Sequence, residues 1–140
     1  MQGAFHWLRV QVFCYATERE DLIRSMITDL AGDGVEEESS EGEHGNRLTV
    51  FGKEMTRQAE FRSLFEKLGP GVRGEASRDM EARVDEDCVF RLRLDRQRLA
   101  EGALEIAHHG DVLSITGKIV AHPARKGIAV SNLRGFLETF

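Results

Sequence analysis

Cysteine is scarce in this 140-residue chain: Cys14 and Cys88 are the only two, and neither belongs to a CxxC pair. That usage speaks against a disulfide framework and fits a reduced, cytoplasmic setting. Long hydrophobic runs are missing too. Nothing approaches the roughly 18 apolar residues of a membrane-spanning helix, so no membrane partner is expected. The opening stretch MQGAFHWLRVQVF has no basic segment followed by a long apolar one, and a secretory signal is not expected there.

The familiar catalytic constellations are also absent. No serine stands in a GxSxG context. GPGVRG, residues 69–74, superficially resembles a phosphate loop, but it lacks the lysine and hydroxyl residue that end such loops. It reads instead as a helix stop followed by a surface turn. His108 and His109 are adjacent, so on a strand or tight turn they point apart, and no HxxxH spacing accompanies them; no metal site is expected. His44 lies among glutamates in GEHGNR and is the candidate for acid–base chemistry, as in a hydrolase, against the plainer reading of a solvated acidic run. Cys14 falls in an apolar strand and reads as core, while Cys88 beside DED is disfavoured as a thiolate. A non-enzyme without a cofactor is the expectation.

What is present is a globular composition, 41% hydrophobic and 31% charged, in a length that suits one domain over residues 1–140. The net charge of −5 argues against a surface wholly committed to nucleic acid. It is unevenly spread, however: residues 1–70 carry 8 basic and 13 acidic side chains, whereas the chain from Cys88 onward carries 8 basic and 5 acidic. An anion-binding surface therefore belongs in the last third.

Residues 5–15 alternate with large apolar groups in both phases, the pattern of a central strand. TERE follows as a capping box, Thr17 with Glu20, opening a helix to about Leu30 that GDG stops. VEEESSEGEHGNR is either an edge strand running into a loop or a loop throughout, and LTVFGKEM reads as a strand. TRQAEFRSLFEKLG forms a second amphipathic helix, capped by Thr56, and residues 75–84 form a short charged one. In Val89–Leu94 the side chains of Phe90, Leu92 and Leu94 share one face, and Arg91 and Arg93 the other. Asp95 is the N-cap of a helical turn. ALEIA and VLSITGKIVA flank HHGD as a hairpin, and Pro123 starts a last helix through Phe136 or Leu137. The order predicts an α+β fold, a two-layer sandwich with a mostly antiparallel sheet and helices on one face.

FRLRLDRQRLAEGALEIA, followed by DVLSITGKIVAHPARKGIAVSNLRGFL, resembles the closing region of a family of small archaeal RNA-binding proteins described as predicted exosome subunits. Arg93 to Gln97 match that family's RLDKQ-like motif, with arginine for lysine, and Pro123 to Lys126 match its PAKR-like segment. GEHGNR is similar to the family's GHxGN loop, with Gly45 and Asn46 in place, and HWLRVQVFCYATE to its opening strand. The chain departs from the family after the RLDKQ-like motif, where RLAEG lacks the frequent aromatic. The resemblance implies a fold like that of ribosomal protein L5, RNA as partner, association with the exosome or other RNA-processing proteins, and a loop contact at Gly45 and Asn46.

The residues themselves support an anion site. Arg91 and Arg93, two apart on a strand, stand about 7 Å from each other, close to the spacing of successive phosphates on one strand. Arg96, Gln97 and Arg98 extend the patch, and Lys118 adds a cation from the following hairpin arm. Arg125 and Lys126 oppose the dipole of the last helix, which an anionic partner explains better than stability does. With Trp7, Phe5 and Tyr15 as the aromatic candidates for exposure, recognition is expected to rest on backbone charge and shape more than on stacking. Two alternatives stand beside this one. The Glu36–Glu43 run neutralises the arginines if it forms an edge strand next to them. Otherwise the chain is a protein–protein adaptor or homodimer that does not touch RNA.

Overall fold

A computed structural model describes residues 3–41 and 45–140. Five strands and five helices follow one another as β1 (Phe5–Tyr15), α1 (Glu20–Ala31), β2 (Glu36–Glu41), β3 (Arg47–Met55), α2 (Gln58–Arg78), α3 (Met80–Arg83), β4 (Val89–Asp95), α4 (Arg96–Ala100), β5 (Val112–Ile119) and α5 (Lys126–Leu137). The strands form one antiparallel sheet in the order β2-β3-β1-β5-β4. One face buries Leu8, Val10 and Val12 of β1, Leu92 and Leu94 of β4, and Leu113 and Ile115 of β5 under the helices. This is the α+β two-layer sandwich that the patterning predicts.

The long apolar β1 sits at the centre because both of its edges can be paired, by β3 and by β5. A bulge at its start lets one strand serve both faces. Phe5 pairs with Ile119 and Trp7 with Lys118, so the extra residue, His6, turns Phe5 into the core and Trp7 onto the other side. Phe5 then meets Phe61 and Phe136 edge-on, at centroid distances of 5.4 and 6.3 Å. Gly117 faces this cluster from β5. A Cβ there would stand 2.7 Å from Leu8 Cδ1 and 2.8 Å from Phe5 Cδ1, so the close packing requires glycine.

Local expectations needed five corrections. The helix after β1 has Arg19 at its N-cap and no side-chain cap; the Glu18 carboxylate instead turns back to the Tyr15 amide, which displaces the Thr17 capping box. Arg57, not Thr56, is the N-cap of α2, with the Glu60 carboxylate accepting its amide. The break at Gly69 (φ 81°) is real, but Pro70 opens a continuing helical segment instead of a surface turn. Arg73 Nη1 donates to the Phe65 carbonyl at 2.7 Å, satisfying an acceptor that the break leaves free. Finally, ALEIA is not the partner of β5. Ile106 bridges Leu94 on the outer edge of β4, and the last helix begins at Lys126, past Pro123.

Candidate nucleic-acid interface

With all helices on one side, the opposite face of the sheet is uncovered, and alternation decides what it carries. One row across it runs Glu36, Gly52, Gln11, Ser114 and Arg93; the next runs Glu54, Arg9, Thr116 and Arg91; the third holds Trp7, Lys118 and Val89. Acidic side chains thus sit toward β2 and β3 and basic ones toward β5 and β4, and where the two meet Arg9 of β1 holds Glu54 of β3 at 2.9 Å. The Glu36–Glu41 strand lies at the edge farthest from the arginines, so it does not neutralise them. It pairs elsewhere: Glu37, on the helix side, meets Arg24 at 2.5 Å.

Aromatic side chains share the same open face. Phe13 is 42% and Tyr15 49% exposed, and the Arg9 guanidinium lies 5.4 Å from the Trp7 ring centroid. Phe5, an expected surface aromatic, is buried at 3%. The bulge explains the exchange. Phe13 was legible in the alternation of β1 but not distinguishable there, because both phases of that strand are apolar. Arg9 was missed because it lies outside the basic last third.

The arginines of residues 91–98 divide in three. Arg93 is exposed and, among the described residues, has no carboxylate in range; Arg91 is exposed but bound to Asp85 at 2.7 Å. That contact, with the Val89 amide on the same carboxylate, holds Asp85 below its ordinary pKa. Arg98 is committed to Glu101 and Glu105, at 2.7 and 2.9 Å. Arg96 leaves the surface set altogether. Its side chain is 10% exposed, and its guanidinium reaches Phe13 O at 2.7 Å, both oxygens of Glu18, and Asp111 at 3.3 Å. Asp95 caps α4, accepting from the Arg98 amide at 2.9 Å, and leaves Gln97 exposed at the end of β4.

Lys118 is on the open face, its ammonium donating to the Asp87 carbonyl. Arg125 is the N-cap of α5 and Lys126 its first residue, in the helical layer beyond the end of β5 rather than on the strand face with Arg91 and Arg93. Gly45 and Asn46 are exposed in the turn before β3, while His44 lies outside the described residues. Burial raises the pKa of Cys14, with Glu18 and Glu20 adding to the effect, which leaves it a core thiol.

A small two-layer α+β protein with one bare sheet face, basic along one edge, is the class that the geometry defines. The chain belongs to the RNA-binding family, whose model matches residues 7–119. It is 26% identical over 148 residues to a protein of Pyrococcus abyssi described as RNA-binding, with 95% of this chain and 94% of that one covered. Among solved structures, a DUF54 protein from Methanothermobacter thermautotrophicus is 34% identical, with a TM-score of 0.80 over 96% of this chain and 98% of that one. A protein of the same type from Archaeoglobus fulgidus, 23% identical, shares the fold with a TM-score of 0.77, covering 94% and 98%.

Proposed function

We propose that the chain is a non-catalytic module that binds single-stranded RNA on the open face of its sheet, along β1, β5 and β4. The observation that carries this reading is the sharing of one uncovered surface by exposed Phe13 and Tyr15 and the cations Arg9, Arg91, Arg93 and Lys118. Base–aromatic stacking contributes about 1–3 kcal/mol per base and needs unstacked bases, which an A-form duplex hides. Phosphates are then neutralised on the β4 side, away from the acidic β2 edge. Gln97, Arg125 and Lys126 extend the path past the two ends of the strands, and Gly45 and Asn46 add a loop contact. The motif resemblance points to service with RNA-processing machinery, the exosome being the candidate assembly.

Titration against single-stranded, hairpin and duplex RNA over a range of salt tests the reading. Single strands should bind most tightly, with log affinity falling linearly in log salt. Light scattering that shows a tight oligomer, indifferent to RNA and salt, would instead favour the adaptor.

A further inference from the structure

The outer edge of β4 is covered at both ends and open between them. Val84 bridges Phe90 near the start, and the Asp85 amide donates to Val89 O at 3.1 Å. Toward the other end Ile106 bridges Leu94, and the Ala107 amide donates to Arg93 O at 2.9 Å. Between these segments lies a recess of about 340 Å³ whose lining includes Arg83, Asp85, Arg91, Arg93 and His108.

Arg83, Arg91 and Arg93 all line this small space, and like charges so close together repel one another unless anions stand among them. The described residues supply few: among them Asp85 serves Arg91, Arg83 reaches Asp79 at 3.7 Å, and Arg93 has no carboxylate partner. The Arg83 side chain is 15% exposed, and its Nε is buried with no hydrogen-bond partner among the described residues. A guanidinium has five N–H donors and no acceptor, and an orphaned buried donor costs about 1–3 kcal/mol. With the Arg83 Nε enclosed, the exposed fork of Arg93, which has no carboxylate partner among the described residues, is the group that an acceptor from outside the chain can reach.

We propose that this recess is a phosphate-binding site and that its ligand is the terminal phosphate of an RNA strand, an inference that rests on the sheet-face reading above. The planar fork of Arg93 suits phosphate oxygens, which it can hold in a bidentate pair, while Arg83 and Arg91 add positive charge to the lining. A volume near the lower end of ligand pockets admits a chain end and excludes a duplex. A strand crossing the open face from β1 toward β4 passes Arg91 and Arg93 and reaches the recess at the sheet edge. A terminal phosphomonoester, with about −1.5 to −2 charge at neutral pH, answers the cationic lining better than an internal diester with a single charge.

The test compares oligonucleotides of one sequence carrying a 5′-phosphate, a 3′-phosphate or hydroxyls at both ends, against the wild-type protein and Arg83→Met. One phosphorylated oligonucleotide should bind wild type about tenfold more tightly than its hydroxyl twin, the size of one charge-assisted hydrogen bond, and Arg83→Met should lose that advantage. Which end carries the advantage identifies the terminus. Should Arg83→Met not fold, Arg93→Ala replaces it, and the Arg93 Nε–Hε resonance of wild type should shift with the phosphorylated oligonucleotide only. Equal affinity for all three oligonucleotides overturns the recess while leaving RNA binding intact. An advantage retained in both variants overturns the assignment to these arginines, and failure of every oligonucleotide to bind overturns the sheet-face reading itself.

Discussion

Arg96 and Glu18, separated by 78 positions in the chain, form a double hydrogen bond, Nη1 to Oε1 at 3.1 Å and Nη2 to Oε2 at 2.5 Å. The same guanidinium holds the Phe13 carbonyl, and the same carboxylate accepts the Tyr15 amide at 3.0 Å. This pair therefore ties the motif after β4 to the end of β1 that carries the two most exposed aromatics of the sheet face. Removing the cation strands a carboxylate and a carbonyl together. Arg96→Met should lower stability by about 2–3 kcal/mol, below the range for a fully buried pair because Glu18 is a quarter exposed. Urea denaturation measures it; a loss under half a kilocalorie per mole would show the pair to be incidental.

Phe13→Ala and Tyr15→Ala remove exposed rings, so neither should shift the urea midpoint appreciably. Each should weaken single-stranded RNA binding by roughly tenfold, the lower end of stacking energies, while duplex affinity stays nearly unchanged. Trp7, the only tryptophan of the chain, lies on the same face and supplies the readout through its fluorescence. Unchanged single-strand affinity in the double variant would remove the aromatics from the interface.

Much of the fold was written in local pattern. Alternation in Val89–Leu94 placed Phe90, Leu92 and Leu94 inward and both arginines outward, as the structure has them. The α+β class followed from the same reasoning. The site was less legible, for reasons of distance. Period two shows that Arg91 is exposed, not that Asp85 will fold back to bind it. Nor does it show that Arg96, the next cation, turns inward at the first residue of α4 to meet partners from β1 and the turn before β5. Phe5 and Phe13 differ in fate only because of a one-residue bulge, which no composition signal announces. The acidic β2 strand could be placed beside the arginines or far from them until the strand order was known.

Asp85 restrains Arg91, and the restraint is separable from the turn it organises. Oδ1 accepts the Asp87 and Val89 amides at 2.9 and 3.0 Å, while Oδ2 takes Arg91. Asp85→Asn keeps an acceptor for the amides and releases the guanidinium, so RNA affinity should rise severalfold at neutral pH. The pair also sets an acid dependence. Because the folded carboxyl lies below its ordinary value of 3.8, its contribution to stability is present above that pH and is lost as pH falls through the lower folded value. Acid titration of the wild type and of Asp85→Asn should therefore diverge above that value and converge below it.

Salt dependence distinguishes cations that meet phosphate from those already neutralised within the chain. Arg93 has no carboxylate partner among the described residues, and Arg93→Ala should flatten the slope of log affinity against log salt by about one. Joint replacement of Arg125 and Lys126 should flatten it by about two if the RNA path continues to the start of α5. Arg98 is the internal control. Its side chain is half exposed, yet Glu101 and Glu105 already bind it, so Arg98→Ala should leave the slope within error of wild type. An equal drop for Arg93 and Arg98 would mean that net charge, not position on the sheet edge, governs binding, and the open face would lose its claim to the RNA.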